Sequence, residues 1–255
     1  MDLPVNRFKR RLLEGRHQTG LWITIPDPTV VEALAGAGYD WITLDTEHTP
    51  VEVSSVLPLL QAAAASPVSC VVRPSVNDTA LIKRHLDQGA QTILLPFVQS
   101  PEEARAAVRA VRYPPEGVRG AGGTVRAAAY GRIADYVARA NAEICLILQV
   151  ETVEALARLE EIAQVPGVDA VFIGPNDLAT SMGHPGDPGH PEAQRAVLGA
   201  IARMRAIGRP VGVLSTDPAI ARACIAAGSA FTAVAVDMGL LIAAAEARLS
   251  ALRTG

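Results

Sequence analysis

Eight short apolar or β-branched runs, separated by stretches of helical periodicity, constrain the fold of this 255-residue chain more than any other feature. Strands that alternate with helices indicate a parallel sheet, and eight such units predict a closed (β/α)8 barrel, the TIM barrel, in one α/β domain. An open doubly wound sheet is the alternative, but no Gly-x-Gly-x-x-Gly motif follows the first run. The predicted strands are residues 21–25, 41–45, 70–73, 92–96, 145–150, 170–173, 210–214 and 231–236.

The stretches between the runs carry helix signals. Asp27 and Ser100 each supply a polar cap immediately before a proline at the first helical position. We expect one barrel domain over residues 1–255, in which residues 1–18 form an N-terminal helical extension. The predicted helices include segments 30–37, 79–88, 101–111 and 153–162, which are rich in alanine and leucine at helical spacing.

Composition and one irregular segment add two expectations. Aromatic residues make up only 4% of the chain and hydrophobic residues 49%, so we expect an aliphatic core of Ala, Val, Leu and Ile. Residues 113–130 break the alternation because they contain Pro114-Pro115 and four glycines. This segment is long for a connection between a strand and a helix, and we expect it to overhang the mouth of the barrel.

Charge and hydropathy exclude several classes of partner. A net charge of −3 and an isoelectric point near 6.0 leave no electrostatic footprint for nucleic acid or an anionic membrane. No segment reaches the ~18 consecutive apolar residues of a spanning helix, and residues 1–16 are too charged for a secretory signal. Cys70, Cys145 and Cys224 are far apart in apolar runs, which predicts buried thiols in a reducing cytoplasm rather than bridges or zinc ligands.

Two carboxylates follow consecutive predicted strands. Because strand side chains alternate, Gln149 and Glu151 share a face, and Asp177 comes after the next strand. A barrel enzyme can hold a hard divalent cation by oxygen ligands at this end of its strands, so Glu151 and Asp177 predict a metal site. The alternative is that each acid caps the helix after it. Two such acids on successive strands, one with a glutamine on its own face, favour the metal.

Further polar side chains close two other strands. Asp45, Glu47 and His48 follow the second strand, and Arg73 ends the third. A metal could chelate the carboxylate and keto oxygens of a 2-oxo acid, while Arg73 and Gln149 hold anionic oxygens and His48 moves protons. Taken alone, His48 is better interpreted as a surface histidine. Arg73 could also pair with Asp45 or Glu47 as structure only.

The predicted strand ends lack the residues for two kinds of chemistry, Schiff-base formation and phosphate binding. The only lysines are Lys9 and Lys83, and neither lies on a predicted strand, so no Schiff-base lysine is expected. No glycine-rich phosphate cradle follows the last two strands, so a phosphorylated substrate is disfavoured. No nucleotide cofactor is expected either. His184 and His190 lie in a Gly- and Pro-rich loop, residues 183–191, where no strand fixes their geometry as ligands.

Seven ordered segments between Gly20 and Asp237 carry a resemblance to a known family; among them are LDTEHTP at 44–50 and FIGPNDL at 172–178. In these segments the chain resembles the HpcH/HpaI aldolase family, most closely its 4-hydroxy-2-oxoheptanedioate and 2-dehydro-3-deoxyglucarate aldolases. The resemblance implies a class II, divalent-metal-dependent aldehyde-lyase on a (β/α)8 barrel. Such enzymes make or break the carbon–carbon bond between pyruvate or hydroxypyruvate and an aldehyde. The other segments are residues 38–41, 72–74, 86–91, 112–115 and 149–151.

The resemblance also implies roles for individual residues. Glu151 and Asp177 match ligands of Mg²⁺, Mn²⁺ or Co²⁺. His48 matches the base, and Asp87 matches a carboxylate that raises the basicity of that histidine; the role of Asp87 rests on the resemblance alone. Arg73 matches the residue that stabilises the enolate. The matching substrate-binding positions are Gln149, Gly174, Pro175, Asn176 and Asp177, with Trp22 and Leu214 as pocket walls. Thr46 departs from the family pattern, in which glycine is common.

The C-terminal segment bears on assembly. Residues 240–252 have apolar residues at helical spacing and many alanines, and the resemblance implies a homohexamer that exchanges this helix between subunits. The alternative is an ordinary eighth barrel helix packed on its own chain.

Two other functions remain open. An acyl-CoA lyase, of the citramalyl- or malyl-CoA type, would have to bind a nucleotide tail, but Arg119, Arg126 and Arg132 are scattered. A catalytically silent barrel that acts as a binding protein is disfavoured, because the acid, amide, imidazole and guanidinium set is intact. The expected partners are therefore a small 2-oxo acid and an aldehyde.

Overall fold

The computed structural model describes residues 1–253 and shows eight parallel strands closed into a barrel. The strands are β1 (Gln18–Ile23), β2 (Trp41–Asp45), β3 (Ser69–Arg73), β4 (Thr92–Leu95), β5 (Cys145–Val150), β6 (Ala170–Ile173), β7 (Val211–Leu214) and β8 (Phe231–Val236). Each strand pairs with the next along the chain, and β8 pairs back to β1. The (β/α)8 prediction is confirmed. Thr254 and Gly255, at the end of the domain predicted over 1–255, lie outside the described residues.

The first strand differs from the predicted run because tertiary partners decide its ends. Gln18 is polar, yet its N–H donates to the carbonyl of Ala230 at 3.0 Å, so β1 begins there. At the other end, the N–H groups of Thr24 and Ile25 donate to the Asp237 carboxylate, both at 2.9 Å. These two residues therefore leave the sheet, and β1 covers Gln18–Ile23 rather than 21–25.

Twelve α-helices occur within residues 1–253. Asp27 and Ser100 cap two of them through their side chains, as predicted. The segment predicted as one helix over 153–162 is two short helices that meet at Arg158, whose φ and ψ of −106° and 16° are not helical. The helices are α1 (Arg7–Leu13), α2 (Pro28–Ala35), α3 (Val53–Ala63), α4 (Thr79–Asp87), α5 (Pro101–Val111), α6 (Tyr136–Ala140), α7 (Val153–Ala157), α8 (Leu159–Ala163), α9 (Pro175–Ser181), α10 (Pro191–Ala206), α11 (Pro218–Ala227) and α12 (Asp237–Arg253).

The core has two layers of different composition. Between the strands and the helices it is aliphatic, as the composition predicted. Inside the barrel, however, aromatic rings pack against one another with centroids 5.3 to 6.1 Å apart. The expectation of a wholly aliphatic core was wrong, because half of the ten aromatic residues are concentrated in this interior. They are Phe8, Trp22, Trp41, Phe172 and Phe231.

Helix α1 closes the N-terminal end of the barrel. Phe8 on this helix is fully buried and meets the rings of Trp41 and Phe231 edge-on. The Asn6 side chain, which caps α1, donates to Thr92 Oγ1 at 3.0 Å at the start of β4. The helix within the predicted N-terminal extension thus acts as a plug for the barrel.

The irregular segment lies at this N-terminal end and not at the mouth. Helix α5 runs back from the carboxyl end of β4, so residues 112–144 connect it to the start of β5. Arg126 Nη1 donates to the carbonyl of Gln88 at 2.7 Å, just before β4. The expected overhang above the mouth was wrong for a single chain, because in a parallel barrel every helix returns the chain to the opposite end.

The last helix, α12, lies almost entirely outside the barrel packing. Only its first residue, Asp237, is buried. Leu240, Leu241, Ile242 and Leu249 are each between 45% and 59% exposed. Sixteen residues of largely apolar helix, 238–253, therefore remain exposed within the described chain, unlike an ordinary outer helix of a barrel. None of the helices in residues 1–253 combines the length and the apolar character needed to cross a membrane.

Candidate active site

A cavity of about 320 Å³ opens at the carboxyl ends of the strands. Nine of the predicted site residues line it: Trp22, His48, Arg73, Gln149, Gly174, Pro175, Asn176, Asp177 and Leu214. Thr24, Asp45, Phe172 and Val236 complete the wall. A larger cavity of about 760 Å³ lies at the N-terminal end, but neither a carboxylate nor a histidine lines it. The cavity at the mouth is therefore the candidate active site.

Arg73 is held beside this cavity by two carboxylates. Its Nε and Nη2 donate to the two oxygens of Asp45 at 2.9 and 2.7 Å, and Nη1 lies 2.7 Å from Glu47 Oε2. The guanidinium carbon stacks 4.9 Å from the ring centroid of Trp22. Arg73 therefore pairs with both Asp45 and Glu47, the purely structural role that the sequence left open. A guanidinium has five N–H groups, however, so about two remain for a ligand in the cavity.

Glu47 belongs to the site, although its sequence position alone assigned it no separate role. Burial raises the pKa of this carboxyl to about 7; Arg73 opposes the shift, and the charges of Asp45 and Asp177 add to it. Glu47, two residues after β2, and Asp177, in the first turn of α9, are thus close enough for their charges to interact. The only sequence signal for Glu47 was its position just after β2.

The turn between β2 and His48 is tied to the neighbouring strand. Thr46 stands where the resemblance led us to expect glycine. Its hydroxyl and its N–H donate to the carbonyl of Arg73 at 2.7 and 3.0 Å, so the threonine fastens this turn. His48 extends beyond it with 64% of its side chain exposed, and its Nε2 lies 3.9 Å from Glu47 Oε2.

Glu151 is almost completely buried next to the cavity. Gln149 Nε2 donates to its Oε2, so the two side chains share a face as strand alternation predicted. The N–H of Phe97 donates to its Oε1 at 2.8 Å. Burial nevertheless raises the pKa of Glu151 to about 7; these two hydrogen bonds oppose the shift, and the charges of Asp177 and Glu47 add to it.

Two backbone features shape the surroundings of Glu151. A Cβ on Gly174 would lie 2.8 Å from the Glu151 Cβ and would overlap its carboxylate, so only glycine fits there. Phe97 has a left-handed backbone with φ of 55°, a strained conformation for a residue with a side chain, and this directs its N–H to Glu151. Gly174 was predicted as a site residue. Phe97 was missed, because no local sequence signal marks its backbone angle.

The turn after β6 supplies donors as well as an acid. Gly174 precedes α9, and Pro175 occupies its first helical position. The N–H groups of Asn176 and Asp177 lie in the first turn, where a helix has no internal acceptors for them. Both residues line the cavity, so these donors suit an anionic oxygen bound there.

His48 and Asp87 do not meet within one chain. His48 lies at the mouth, after β2. Asp87 is the last of the nine residues of α4, a helix that carries the chain about 13 Å toward the opposite end of the barrel. There it accepts a hydrogen bond from Arg119 Nη2 at 2.9 Å. The carboxylate–histidine pair implied by the resemblance is therefore not formed within residues 1–253 of a single copy.

The charges of the mouth fit a divalent cation. Four carboxylates, Asp45, Glu47, Glu151 and Asp177, lie at the mouth, and Arg73 forms ion pairs with two of them, Asp45 and Glu47. Burial is the main cause of the raised pKa values of Glu47 and Glu151, and the like charges of the neighbouring carboxylates add to the shift. A cation held by oxygen atoms would relieve this repulsion, and all of the acidic donors here are oxygens, as Mg²⁺ and Mn²⁺ prefer.

Comparison with known proteins gives consistent matches over nearly the whole chain. The sequence model described as HpcH/HpaI aldolase/citrate lyase matches residues 18–244. A pyruvate aldolase from Rhizobium etli is 56% identical over 97% of this chain and 97% of its own length. A hydroxypyruvate/pyruvate aldolase from Sagittula stellata is 54% identical over 97% and 98%. A solved HpcH/HpaI aldolase/citrate lyase family protein from Burkholderia cenocepacia superposes with a TM-score of 0.94 at 40% identity, covering 98% of this chain and 100% of that one.

Proposed function

The chain belongs to the HpcH/HpaI aldolase/citrate lyase family, and we propose that it is a divalent-metal-dependent class II aldolase. It joins pyruvate or hydroxypyruvate reversibly to an aldehyde and forms a 4-hydroxy-2-oxo acid, which makes it a carbon–carbon lyase. The observation that carries this proposal is the charge arrangement of the mouth. Arg73 keeps free N–H groups in the same cavity as Asp177, next to the buried carboxylate of Glu151.

Glu151 and Asp177 hold the cation in this proposal. The ion supplies Lewis acidity that polarises the keto group of a 2-oxo acid. Oxygen-only donors favour Mg²⁺, Mn²⁺ or Co²⁺ over a structural zinc. The alternative aldolase chemistry through an imine has no support, because Lys9 donates to the carbonyl of Ile144 at the N-terminal end of the barrel. Lys83 lies on the outer helix α4.

The walls of the cavity match the two halves of the substrate. The N–H groups of Asn176 and Asp177 can receive the carboxylate of the 2-oxo acid, and the amide of Gln149 lies beside it. Trp22 and Leu214 form an apolar side for the carbon chain. The aldehyde is therefore held mainly by shape and apolar contact, which favours tolerance toward its length.

The proton transfers follow from the bond that breaks. In cleavage, His48 takes the proton of the 4-hydroxyl, the C3–C4 bond breaks, and the aldehyde carbonyl forms. The electron pair passes to the oxygen on C2, where Arg73 stabilises the enolate through its free N–H groups. The enolate then takes at C3 the proton that His48 removed from the 4-hydroxyl, which gives pyruvate and regenerates His48 as the base. Addition follows the same steps in reverse.

The test is an assay of carbon–carbon bond formation. Pyruvate and hydroxypyruvate are each incubated with aldehydes of increasing length, using protein that has been treated with a chelator and then supplied with Mg²⁺, Mn²⁺ or Co²⁺. We expect adducts only when the metal is restored. Adducts formed equally well by thoroughly demetallated protein would overturn the metal role. Absence of adducts with both donors under all conditions would overturn the aldolase.

The proposal includes a homohexamer in which α12 is exchanged between subunits. Its support is the largely apolar surface of α12, since a contiguous exposed apolar surface marks an interaction site. A second line of support is the separation of His48 from Asp87. The two side chains can pair only if Asp87 of the partner subunit reaches the mouth, still fixed by Arg119.

Two measurements test this assembly. Light scattering at micromolar concentration should give a mass well above that of one chain, and a monomer would refute the exchange. Asp87→Asn keeps an oxygen that can accept from Arg119, so the fold should persist. It should shift the acidic limb of the activity–pH profile downward, because a less basic histidine stays neutral at lower pH. An unshifted limb would refute the pairing.

The acyl-CoA lyase alternative finds no matching surface. Arg119 is fully buried against Asp87, and Arg126 and Arg132 lie at the N-terminal end of the barrel. No cluster of these arginines therefore faces the mouth of the same chain. Failure of coenzyme A to compete with pyruvate would agree with this, and efficient competition would favour the alternative.

A cytoplasmic location is part of the proposal. Cys70, Cys145 and Cys224 are free thiols rather than disulfide partners. Burial raises the pKa of Cys70 to about 12 and that of Cys145 well above its usual value, so both stay protonated in the barrel wall. Such thiols suit a reducing compartment. Cell fractionation with an antibody to the chain tests this.

A further inference from the structure

We propose that His184, His190 and Glu192 form a second metal site, of zinc type, on the connection between α9 and α10 and outside the catalytic cavity. One ligand atom from each of the three side chains can be chosen so that all lie within 4.8 Å of one another. Two imidazoles and a carboxylate form a donor set that Zn²⁺ takes in proteins, with water in the remaining position. None of the three residues lines the cavity at the mouth.

The backbone of this connection is ordered by successive hydrogen bonds. The N–H of His184 donates to the carbonyl of Ala179 at 2.8 Å, which fastens the histidine to the end of α9. The N–H of Asp187 donates to the backbone carbonyl of His184 at 3.2 Å, and the N–H of His190 donates to the backbone carbonyl of Asp187 at 3.1 Å. The two histidines are thus brought together by bonded turns. A strand, which the sequence lacked here, is not needed to fix them.

The three side chains lie close to one another. The rings of His184 and His190 stack with centroids 3.5 Å apart and planes 18° from parallel. His184 Nε2 lies 2.9 Å from Glu192 Oε2, so the imidazole and the carboxylate are already in contact. His190 Nδ1 accepts from the N–H of Glu192 at 3.3 Å, which orients the ring and leaves its Nε2 free.

An ion pair and a helix cap do not by themselves explain why these three side chains are placed together. An exposed histidine–carboxylate pair contributes little to stability. His190 also caps α10, but aspartate, serine or asparagine serves that purpose better. A cation bound by all three side chains would replace one weak contact by three ligand bonds. Glu192 and His184 keep 54% and 23% of their side chains exposed, so a hydrated ion can enter.

The donor set separates this site from the catalytic one. Nitrogen donors favour Zn²⁺, Ni²⁺ and Cu²⁺, whereas the oxygen donors at the mouth suit Mg²⁺ and Mn²⁺. Zn²⁺ at the new site would fasten the end of α9, whose first turn carries Asp177. We therefore expect it to act as a clamp that stabilises this helix, and the inference does not depend on the aldolase proposal.

Zinc content after equilibrium dialysis tests the site directly. The protein is kept in excess Mg²⁺ and dialysed against Zn²⁺, and the bound zinc is measured by atomic absorption. Wild type should hold one more Zn²⁺ per chain than His184→Gln or His190→Gln. His17→Gln is the matched control, because this histidine contacts Thr232 at the other end of the barrel and should leave the zinc content unchanged. Equal zinc in all four proteins would overturn the proposal.

A spectroscopic measurement covers the case in which a variant folds poorly. With Mg²⁺ in excess, Co²⁺ added to wild type should give the intense visible bands of a four-coordinate site with nitrogen ligands, and Zn²⁺ should abolish them. Glu192→Gln, which keeps the helix start, should weaken these bands. Absence of such bands in wild type would overturn the site without reference to any variant.

Discussion

At the N-terminal end of the barrel buried charges lie in ion pairs, whereas at the mouth Arg73 pairs with two of four carboxylates, Asp45 and Glu47. Arg119 is fully buried, but Asp87 lies 2.9 Å away. Glu143 accepts from the N–H of Asn6 at 2.8 Å and pairs with Arg10 at the same distance. The aromatic ring of Phe8 seals this end, and nothing in these contacts leaves a charge without a counterpart.

The mouth is arranged in the opposite way. Glu47 and Glu151 have pKa values raised to about 7. The backbone of Phe97 is strained, and its N–H donates to Glu151. One end of the barrel thus stabilises the fold. At the other end the carboxylates repel one another, and a bound cation and an anionic substrate can relieve this repulsion.

Glu151→Gln should have the largest effect. Losing a ligand of the proposed cation should lower kcat by about 10⁴-fold or more, since a Lewis acid supplies several kcal/mol to the transition state. The same change should raise the melting temperature of metal-free protein above pH 7, because it removes a buried charge. The matched control at the other end is Glu143→Gln, which should keep turnover and lose about 1 kcal/mol of stability. A loss of stability in both variants would contradict the difference inferred between the two ends of the barrel.

His48→Ala tests the mouth without removing a buried charge. We expect kcat to fall by roughly 10²–10⁴, the range for a positioned acid–base group. The melting temperature should hardly change, because most of the His48 side chain is exposed. Steady-state kinetics and calorimetry on the same preparation measure both. Near-normal turnover would show that the imidazole is not the base.

Phe8→Ala probes the sealed end. Removing this fully buried ring should cost about 3–5 kcal/mol of unfolding free energy and leave kcat of the remaining folded protein unchanged. Phe97→Ala is the control, because the same truncation at the mouth affects a ring that is 59% exposed. Urea unfolding should show a small change there. Equal stability losses for the two rings would mean that the ends are not specialised.

The smallest expected effect is a dependence of stability on pH. Glu47 and Glu151 have folded-state pKa values above their unfolded ones, so the native metal-free protein binds more protons than the unfolded chain between about pH 4.5 and 7. Their contribution to stability is therefore fully present at low pH and is lost as the pH rises through about 7, by an amount on the order of 2 kcal/mol after solvent screening. Added Mg²⁺ should raise the melting temperature more at pH 8 than at pH 5, and an equal rise would count against charge repulsion at the mouth.

The position of the irregular segment shows where sequence reasoning fell short although the signal was available. Residues 101–111 were predicted as a helix after a strand, so the segment that follows had to lie at the N-terminal end. The glycines and prolines favoured a segment that overhangs the mouth, although the direction of the preceding helix placed it at the opposite end. Asp87 poses the same problem, because only the direction of α4 shows that it lies far from His48.

Other features could not be read along the chain at all. The raised pKa values of Glu47 and Glu151 depend on burial and on charges that come from different strands. The left-handed angle of Phe97 is imposed by its place beside Glu151. The stacking of His184 on His190 arises from turns whose hydrogen bonds join residues of a loop without strong local preference.

The sequence by itself determined what depends on neighbours a few positions apart: the eightfold alternation, the caps at Asp27 and Ser100, and the shared face of Gln149 and Glu151. Backbone geometry converts these local patterns directly into structure, so they could be predicted. Only the tertiary structure decided which charges face one another, which end of the barrel holds them and how far they are from water. Those quantities depend on distances between residues far apart in the chain, and such distances exist only once the barrel has closed.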